Sequence, residues 1–197
     1  MKQVNSCGPV VFPSVPGDQP LDPAQFRNQL EQTDAVVIDL RRPEALGGAH
    51  IPRSFNVGAG PNLSMWAAWL VPYDRPILLV GDAETDMDES RRALFRVGFD
   101  QVRGFLRGGM AAWIEGGFEQ AHVPQISVRE LDGRLRSRPH VEVVDVRSPK
   151  EWTEGHMETA HHIPGGELPT RYNEIPRESD VHLVCGSGYR SSLRAAC

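Results

Sequence analysis

The chain has 197 residues, of which 40% are apolar and 24% charged, with a net charge of −5 and three cysteines. That length admits one large domain or two of about 100 residues, each able to bury its own core. No run approaches the ~18 apolar residues of a membrane span, no Lys/Arg cluster is dense enough to neutralise nucleic-acid phosphates, and Cys7, Cys185 and Cys197 are too few and too scattered for a disulfide framework or a zinc site.

Residues 1–19 read as a lead segment. Met1 to Gly17 holds one lysine and an apolar patch broken by Pro9, Pro13 and Pro16, so it lacks the apolar core of a secretory signal, and a soluble, cytoplasmic setting is expected. A short helix follows with Asp22 as its N-cap, and then a β-branched strand, Ala35 to Leu40, which runs out through Asp39-Leu40-Arg41-Arg42-Pro43. Trp66 and Trp69, three apart, are expected to pack a helix against the sheet or a neighbouring domain. The strand Pro76–Val80 leads into Gly81-Asp82-Ala83-Glu84-Thr85-Asp86-Met87-Asp88-Glu89, which has five acids and no cysteine. A helix (Glu89 to Val97), a strand (Gln101 to Phe105) and a helix opened by Gly108-Gly109-Met110 and containing Trp113 complete this half. Gly116 to Pro124, with paired glycines and a closing proline, reads as an exposed connection.

The second half repeats the first. Asp145-Val146-Arg147-Ser148-Pro149 ends the strand Val141–Val146 as Asp39 to Pro43 ends its own, 106 positions earlier. Gly155-His156-Met157, followed by His161-His162-Ile163, keeps the same offset from Ala49-His50-Ile51 and Phe55-Asn56-Val57, while the strand Val181–Val184 matches Ile77–Val80 at 104. Ser127 caps a helix as Asp22 does. Two units of one fold follow, residues 20–120 and 125–197, each an α/β unit with a mainly parallel sheet flanked by helices. Beyond Cys185 only twelve residues remain, against more than thirty after Gly81, so the second unit is expected to be C-terminally incomplete: the chain is truncated, or another polypeptide supplies the rest.

The chemistry points to one loop. Val184-Cys185-Gly186-Ser187-Gly188-Tyr189-Arg190-Ser191 leaves a strand and enters a helical stretch, Ser192 to Ala196. Gly186 and Gly188 let the backbone curl until successive N–H groups converge, and the helix start adds partial positive charge, which makes an anion cradle. A cysteine heading such a cradle has its thiolate favoured, with pKa values in comparable settings of roughly 3.5 to 7.5. Arg190 either folds back toward the pocket or fixes the loop carbonyls with its planar fork. Asp145 and Arg147, alternate residues leaving a strand, are expected to support the next loop by an ion pair or hydrogen bonds, as are Asp39 and Arg41. His156, His161 and His162 lack the Cys or carboxylate that would complete a metal shell, so packing or hydrogen bonding is expected of them. Cys7 and Cys197 have no activating neighbours, and the acids after Gly81 lack the glycine of a calcium loop, Met87 standing in its place.

A cysteine, four residues, an arginine and a serine resemble the active-site loop of the rhodanese family. Asp145-Val146-Arg147, Glu154-Gly155-His156 leading to His162-Ile163-Pro164, and Gly108-Gly109-Met110 with Trp113 resemble other rhodanese signatures, over about residues 20 to 197. The resemblance implies tandem rhodanese domains and a sulfurtransferase in which Cys185 becomes a persulfide. Gly186, Ser187, Gly188, Tyr189, Arg190 and Ser191 would bind the substrate, the donor would be thiosulfate or a low-molecular-weight persulfide, the acceptor a thiol or cyanide, and neither cofactor nor metal would be needed. Trp66 to Pro76 further resembles the rhodanese part of fusions with a metallo-β-lactamase-fold persulfide dioxygenase, and Met1 to Asn5 resembles that enzyme's tail, which implies a fused or separate dioxygenase as partner. The first unit departs from the family pattern where it matters most: it has no cysteine, and its acids repel anionic donors. Two alternatives stand beside this reading. One is a non-catalytic binding module. The other is a phosphatase or arsenate reductase of related fold, whose loop is one residue longer than the four that separate Cys185 from Arg190.

Overall fold

A computed structural model describes residues 13–138, 140–176 and 178–193. Met1 to Asn5, Cys7, Cys197 and most of the helical stretch expected at Ser192 to Ala196 lie outside them. Among the described residues no helix is long and apolar enough to cross a membrane.

The first unit is a five-stranded sheet of order β1-β5-β4-β2-β3, with β1 at Pro20–Leu21, β2 at Val36–Asp39, β3 at Phe55–Asn56, β4 at Ile77–Val80 and β5 at Val102–Leu106. Every pairing is parallel. β2 and β4 are buried along their whole length because helices cover both faces, which is why their sequences run continuously apolar instead of alternating. Val36, Ile38, Ile77 and Leu79 face α3 (Leu63–Leu70) and α4 (Met87–Arg96), meeting Leu63, Ala67, Ala93 and Leu94. Val37, Leu78 and Val80 face α1 (Pro23–Thr33) and α5 (Gly109–Glu115), meeting Phe26, Met110 and Trp113. Each fully buried Val, Leu, Ile or Phe among them contributes about 1.5–3 kcal/mol relative to exposure. A short helix α2, Pro43–Gly48, follows β2.

Asp22 and Gln25 form a reciprocal capping box on α1, so the chain enters that helix with its first donors satisfied. β1 was not expected: two residues after Gln19 add an edge to β5, where Gly104 at φ +155 lets the backbones close, a Cβ there falling 2.5 Å from the Gln19 carbonyl. The acids after Gly81 have local work. Asp82 accepts from the Glu84 N–H and the Thr85 hydroxyl, and Asp86 caps α4 through the Glu89 N–H, which starts that helix two residues earlier than the sequence suggests.

The second unit has α6 (Val128–Ser137), β6 (Val141–Asp145), α7 (Pro149–Glu154), β7 (His161–His162), α8 (Leu168–Arg171), a 3-10 turn at Tyr172–Glu174, β8 (Asp180–Val184) and α9 (Tyr189–Ser192). Its sheet has three parallel strands in the order β7-β6-β8, the counterpart of β3-β2-β4. The fold is α/β, in two units of unequal size. The linker is tied to the first unit: Ala121 bridges to His50, the Val123 N–H donates to Gly47 O, and Gln125 Nε2 donates to Pro43 O at 2.7 Å.

Candidate active site around Cys185

Cys185 lies directly after β8, half-buried and beside Val144, Ile163 and Leu183 of the second core. Its Sγ is 3.6 Å from Ser191 Oγ, which in turn lies 2.9 Å from Gly188 O. Burial pushes the thiol's pKa up, but the Ser191 N–H and hydroxyl, the Ser187 N–H and the Arg190 N–H all favour the thiolate, and together they bring it below its ordinary value. The loop can close on the sulfur because Gly188 takes φ +79, a left-handed conformation that L side chains disfavour. Gly186 does its part without a positive φ.

Arg190 and Tyr189, both expected in the cradle, are each held by a partner outside the loop. Arg190 places Nη1 and Nη2 at 2.6 Å from the two oxygens of Glu151, a bidentate pair that spends the guanidinium fork on α7. Its charge remains close enough to Cys185 for the two to interact. Tyr189 turns its ring out of the loop, toward Trp66 of the first unit. Burial raises its phenol pKa, while the Gly58 N–H donates to its oxygen. Trp66 packs against the first core, whereas Trp69 stands edge-on to it and is 65% exposed, so the expected scaffold role fits the first indole and not the second.

Glu151 is the residue the sequence reading missed. Besides holding Arg190, it accepts from the Ser148 N–H and hydroxyl while Ser148 caps the Glu151 N–H. The Ser-x-x-Glu spacing advertised that capping box; nothing local advertised the partner 39 residues on. In the first unit the matching positions are Arg42, which makes no side-chain cap, and Ala45.

Beneath the loop, both units carry the same buttress. Arg147 forks onto Asp145 at 2.9 and 2.6 Å and donates to Gly155 O at 2.8 Å. Arg41 does the same with Asp39 and with Ala49 O. His156 bonds to Trp152 O as His50 bonds to Leu46 O. The counterpart of the buried Leu46 is Trp152, stacked between His156 and His162. His162 Nε2 meets Arg147 O at 3.0 Å, and His161 Nε2 meets Glu142 at 3.0 Å. A cavity of about 310 Å³ opens beside Cys185, lined by Val143, Arg147, His156 and Met157 among others. Its counterparts Val37 and Ile51 lie packed under Met110 and Trp113 in the first unit. Cys185 is itself part of the cavity's lining.

Residues 22–116 and 127–197 both match the family described as the rhodanese-like domain. The chain belongs to the rhodanese-like family. A protein of Allochromatium vinosum named sulfurtransferase is 38% identical over 69 residues, covering 35% of this chain and 64% of that protein. YrkF of Bacillus subtilis (strain 168), which carries the provisional name of a sulfur carrier protein, is 31% identical over 94 residues, 48% of this chain and 49% of its own length. The rhodanese-like chain thus spans about half to two-thirds of these curated relatives. Among solved structures, a thiosulfate sulfurtransferase from Pseudomonas aeruginosa aligns with a TM-score of 0.45 at 20% identity, over 91% of this chain and 40% of that one.

Proposed function

We propose that the chain is a rhodanese-type sulfurtransferase in which residues 125–197 form the reacting unit, with Cys185 as sulfur carrier, and residues 20–120 form a cysteine-less companion. The observation that carries this reading is the half-buried sulfur met by the N–H groups of Ser187, Arg190 and Ser191, an arrangement that favours the thiolate, the form that attacks sulfur. The Cys185 thiolate attacks the outer sulfur of a persulfide R–S–S⁻. The new S–S bond forms as the old one breaks, and RS⁻ leaves with its electron pair. An acceptor thiolate then attacks the outer sulfur of the Cys185 persulfide and releases the enzyme thiolate as it takes that sulfur away. Sulfane sulfur changes hands with no net redox change, so the cycle calls for no metal or cofactor. The same loop N–H groups receive the anionic charge in both steps.

The donor we favour is a low-molecular-weight persulfide over thiosulfate, in a cytoplasmic setting, with a fused or separate persulfide dioxygenase, an enzyme that would draw on the same class of persulfide, as partner. The basis is the resemblance of Trp66 to Pro76 to the rhodanese part of such fusions.

Mass spectrometry tests the proposal. In a chain with Cys7→Ser and Cys197→Ser, incubation with glutathione persulfide is expected to add about 32 Da, one sulfur on the thiol oxidation ladder, and a thiol acceptor is expected to remove it. The adduct should be absent from Cys185→Ser and slower to form from thiosulfate. A folded protein that gains no mass from either donor, or that hydrolyses an aryl phosphate instead, overturns the proposal.

A further inference from the structure

The helix that brings two of the three N–H groups to Cys185 is only four residues long, Tyr189–Ser192. A single turn fixes more backbone dihedrals than its hydrogen bonds repay, so it does not hold its own geometry. Its support comes from the other unit. Ser192, 5% exposed, shares its hydroxyl proton between Tyr189 O and Asn56 Oδ1, at 2.7 and 2.9 Å. Asn56 is fully buried in β3, and its amide is immobilised because Nδ2 donates to Asp39 O at 3.1 Å and to Arg41 O at 2.9 Å, which leaves Oδ1 as a fixed acceptor. Leu193, the next residue, is 2% exposed and belongs to the first unit's core with Val57, Leu63 and Ala67. At the other end of the turn, Tyr189 lies 6.3 Å from the Trp66 ring and its oxygen accepts from the Gly58 N–H. The backbone at Gly58 lies close against that ring, a Cβ there standing 3.4 Å from Tyr189 Cε2. In the second unit the counterpart of Asn56 is His162, whose Nε2 meets Arg147 O within its own unit.

We propose that the cysteine-less first unit is the positioning half of the site: Asn56, acting through Ser192, and Gly58, acting through Tyr189, fix the turn whose N–H groups point at Cys185. The proposal rests on Cys185 being the sulfur carrier only for its functional meaning; the coupling itself is readable in the thiol alone. Asn56 touches no substrate. It sets the direction of the Arg190 and Ser191 N–H groups, and a shift of a fraction of an ångström there weakens their hold on the thiolate.

The test is a double-mutant cycle on Asn56→Ala and Ser192→Ala in the Cys7→Ser, Cys197→Ser background, read by the pH profile of Cys185 alkylation with iodoacetamide alongside persulfide transfer. The charges around the sulfur and its turn are Arg190, Glu151, Asp145, Arg147 and His156 in the second unit, and the adjoining helix α2 carries Glu44 and is preceded by Arg42; none is altered. Each single variant is expected to move the alkylation profile to higher pH and to slow alkylation at pH 7 by about tenfold, and the double variant to do no worse than either single. Tyr189→Phe, which leaves the first unit's interior intact, should move the profile in the same direction by less. Positioning is refuted if the variants lose thermal stability while the profile stays at its wild-type position, or if their effects multiply. A shifted profile in a protein that transfers no sulfur supports positioning and removes the sulfurtransferase reading; normal transfer with an unmoved profile does the reverse.

Discussion

Arg190 and Glu151 meet fork to fork, Nη1 at 2.6 Å from Oε2 and Nη2 at 2.6 Å from Oε1, across 39 residues of chain. The pair joins the turn over Cys185 to the start of α7, and Ser148 adds two more donors to the same carboxylate. The Glu151 carboxyl is therefore held well below its ordinary pKa, first by Arg190 and then by Ser148. The folded protein binds this proton more weakly than the unfolded chain. The stabilisation is complete above the unfolded value of about 4.3 and is withdrawn as pH falls through the depressed folded one. Between pH 6 and pH 3 the melting temperature of the wild type should fall more steeply than that of Glu151→Gln. At pH 7, Glu151→Ala should slow sulfur transfer by about tenfold, since the turn loses its anchor. Arg190→Lys should not preserve the rate, because a point charge cannot span both oxygens.

The two loop glycines should respond differently to the same change. Gly188 sits at φ +79, where a Cβ costs about 1–2 kcal/mol, so Gly188→Ala should lower the urea midpoint and disturb transfer. Gly186 has no positive φ, and a Cβ there would meet Arg190 Nη2 at 3.5 Å, an ordinary contact. Gly186→Ala should therefore stay within about 0.5 kcal/mol of wild type. Equal losses from both substitutions would mean that the turn is not held as described.

Leu193 belongs by sequence to the second unit and by packing to the first. Leu193→Ala should cost about 2–5 kcal/mol, the range for emptying a buried leucine site. The loss should appear in the unfolding of the first unit, monitored through its buried Trp113. A transition at Trp113 that ignores the substitution would show that the leucine does not belong to that core in solution.

The α/β class and the doubling were legible in the sequence because both rest on local patterns. Asp39-Leu40-Arg41 and Asp145-Val146-Arg147 stand at one offset, at the ends of continuously apolar strands, and those patterns survive any tertiary arrangement. The loop after β8 was legible for the same reason, its cysteine and glycines being neighbours in the chain. What stayed hidden depends on distance. The Glu151–Arg190 pair and the Asn56–Ser192 bond, 39 and 136 positions apart, leave no periodic trace. From its neighbours in the chain Arg190 reads as folding back toward the pocket or fixing the loop carbonyls, and the carboxylate that takes its fork sits on another element. Tyr189 was read as a loop residue, although its ring belongs to the contact between units. Two-residue strands such as β1 carry too little sequence to announce themselves.

The clamp on the reacting turn is made of two parts in two places, and the first unit retains neither: Ala45 stands where Glu151 stands, and the stretch after Gly81 folds around Asp82 into a turn of its own. A duplicated module that has dropped both halves has no single-step route back. A cysteine planted at position 81 would be buried and would bring its Cβ to 2.9 Å from the Thr85 side chain, and a working second centre would require the whole turn and its distant carboxylate to be transplanted together.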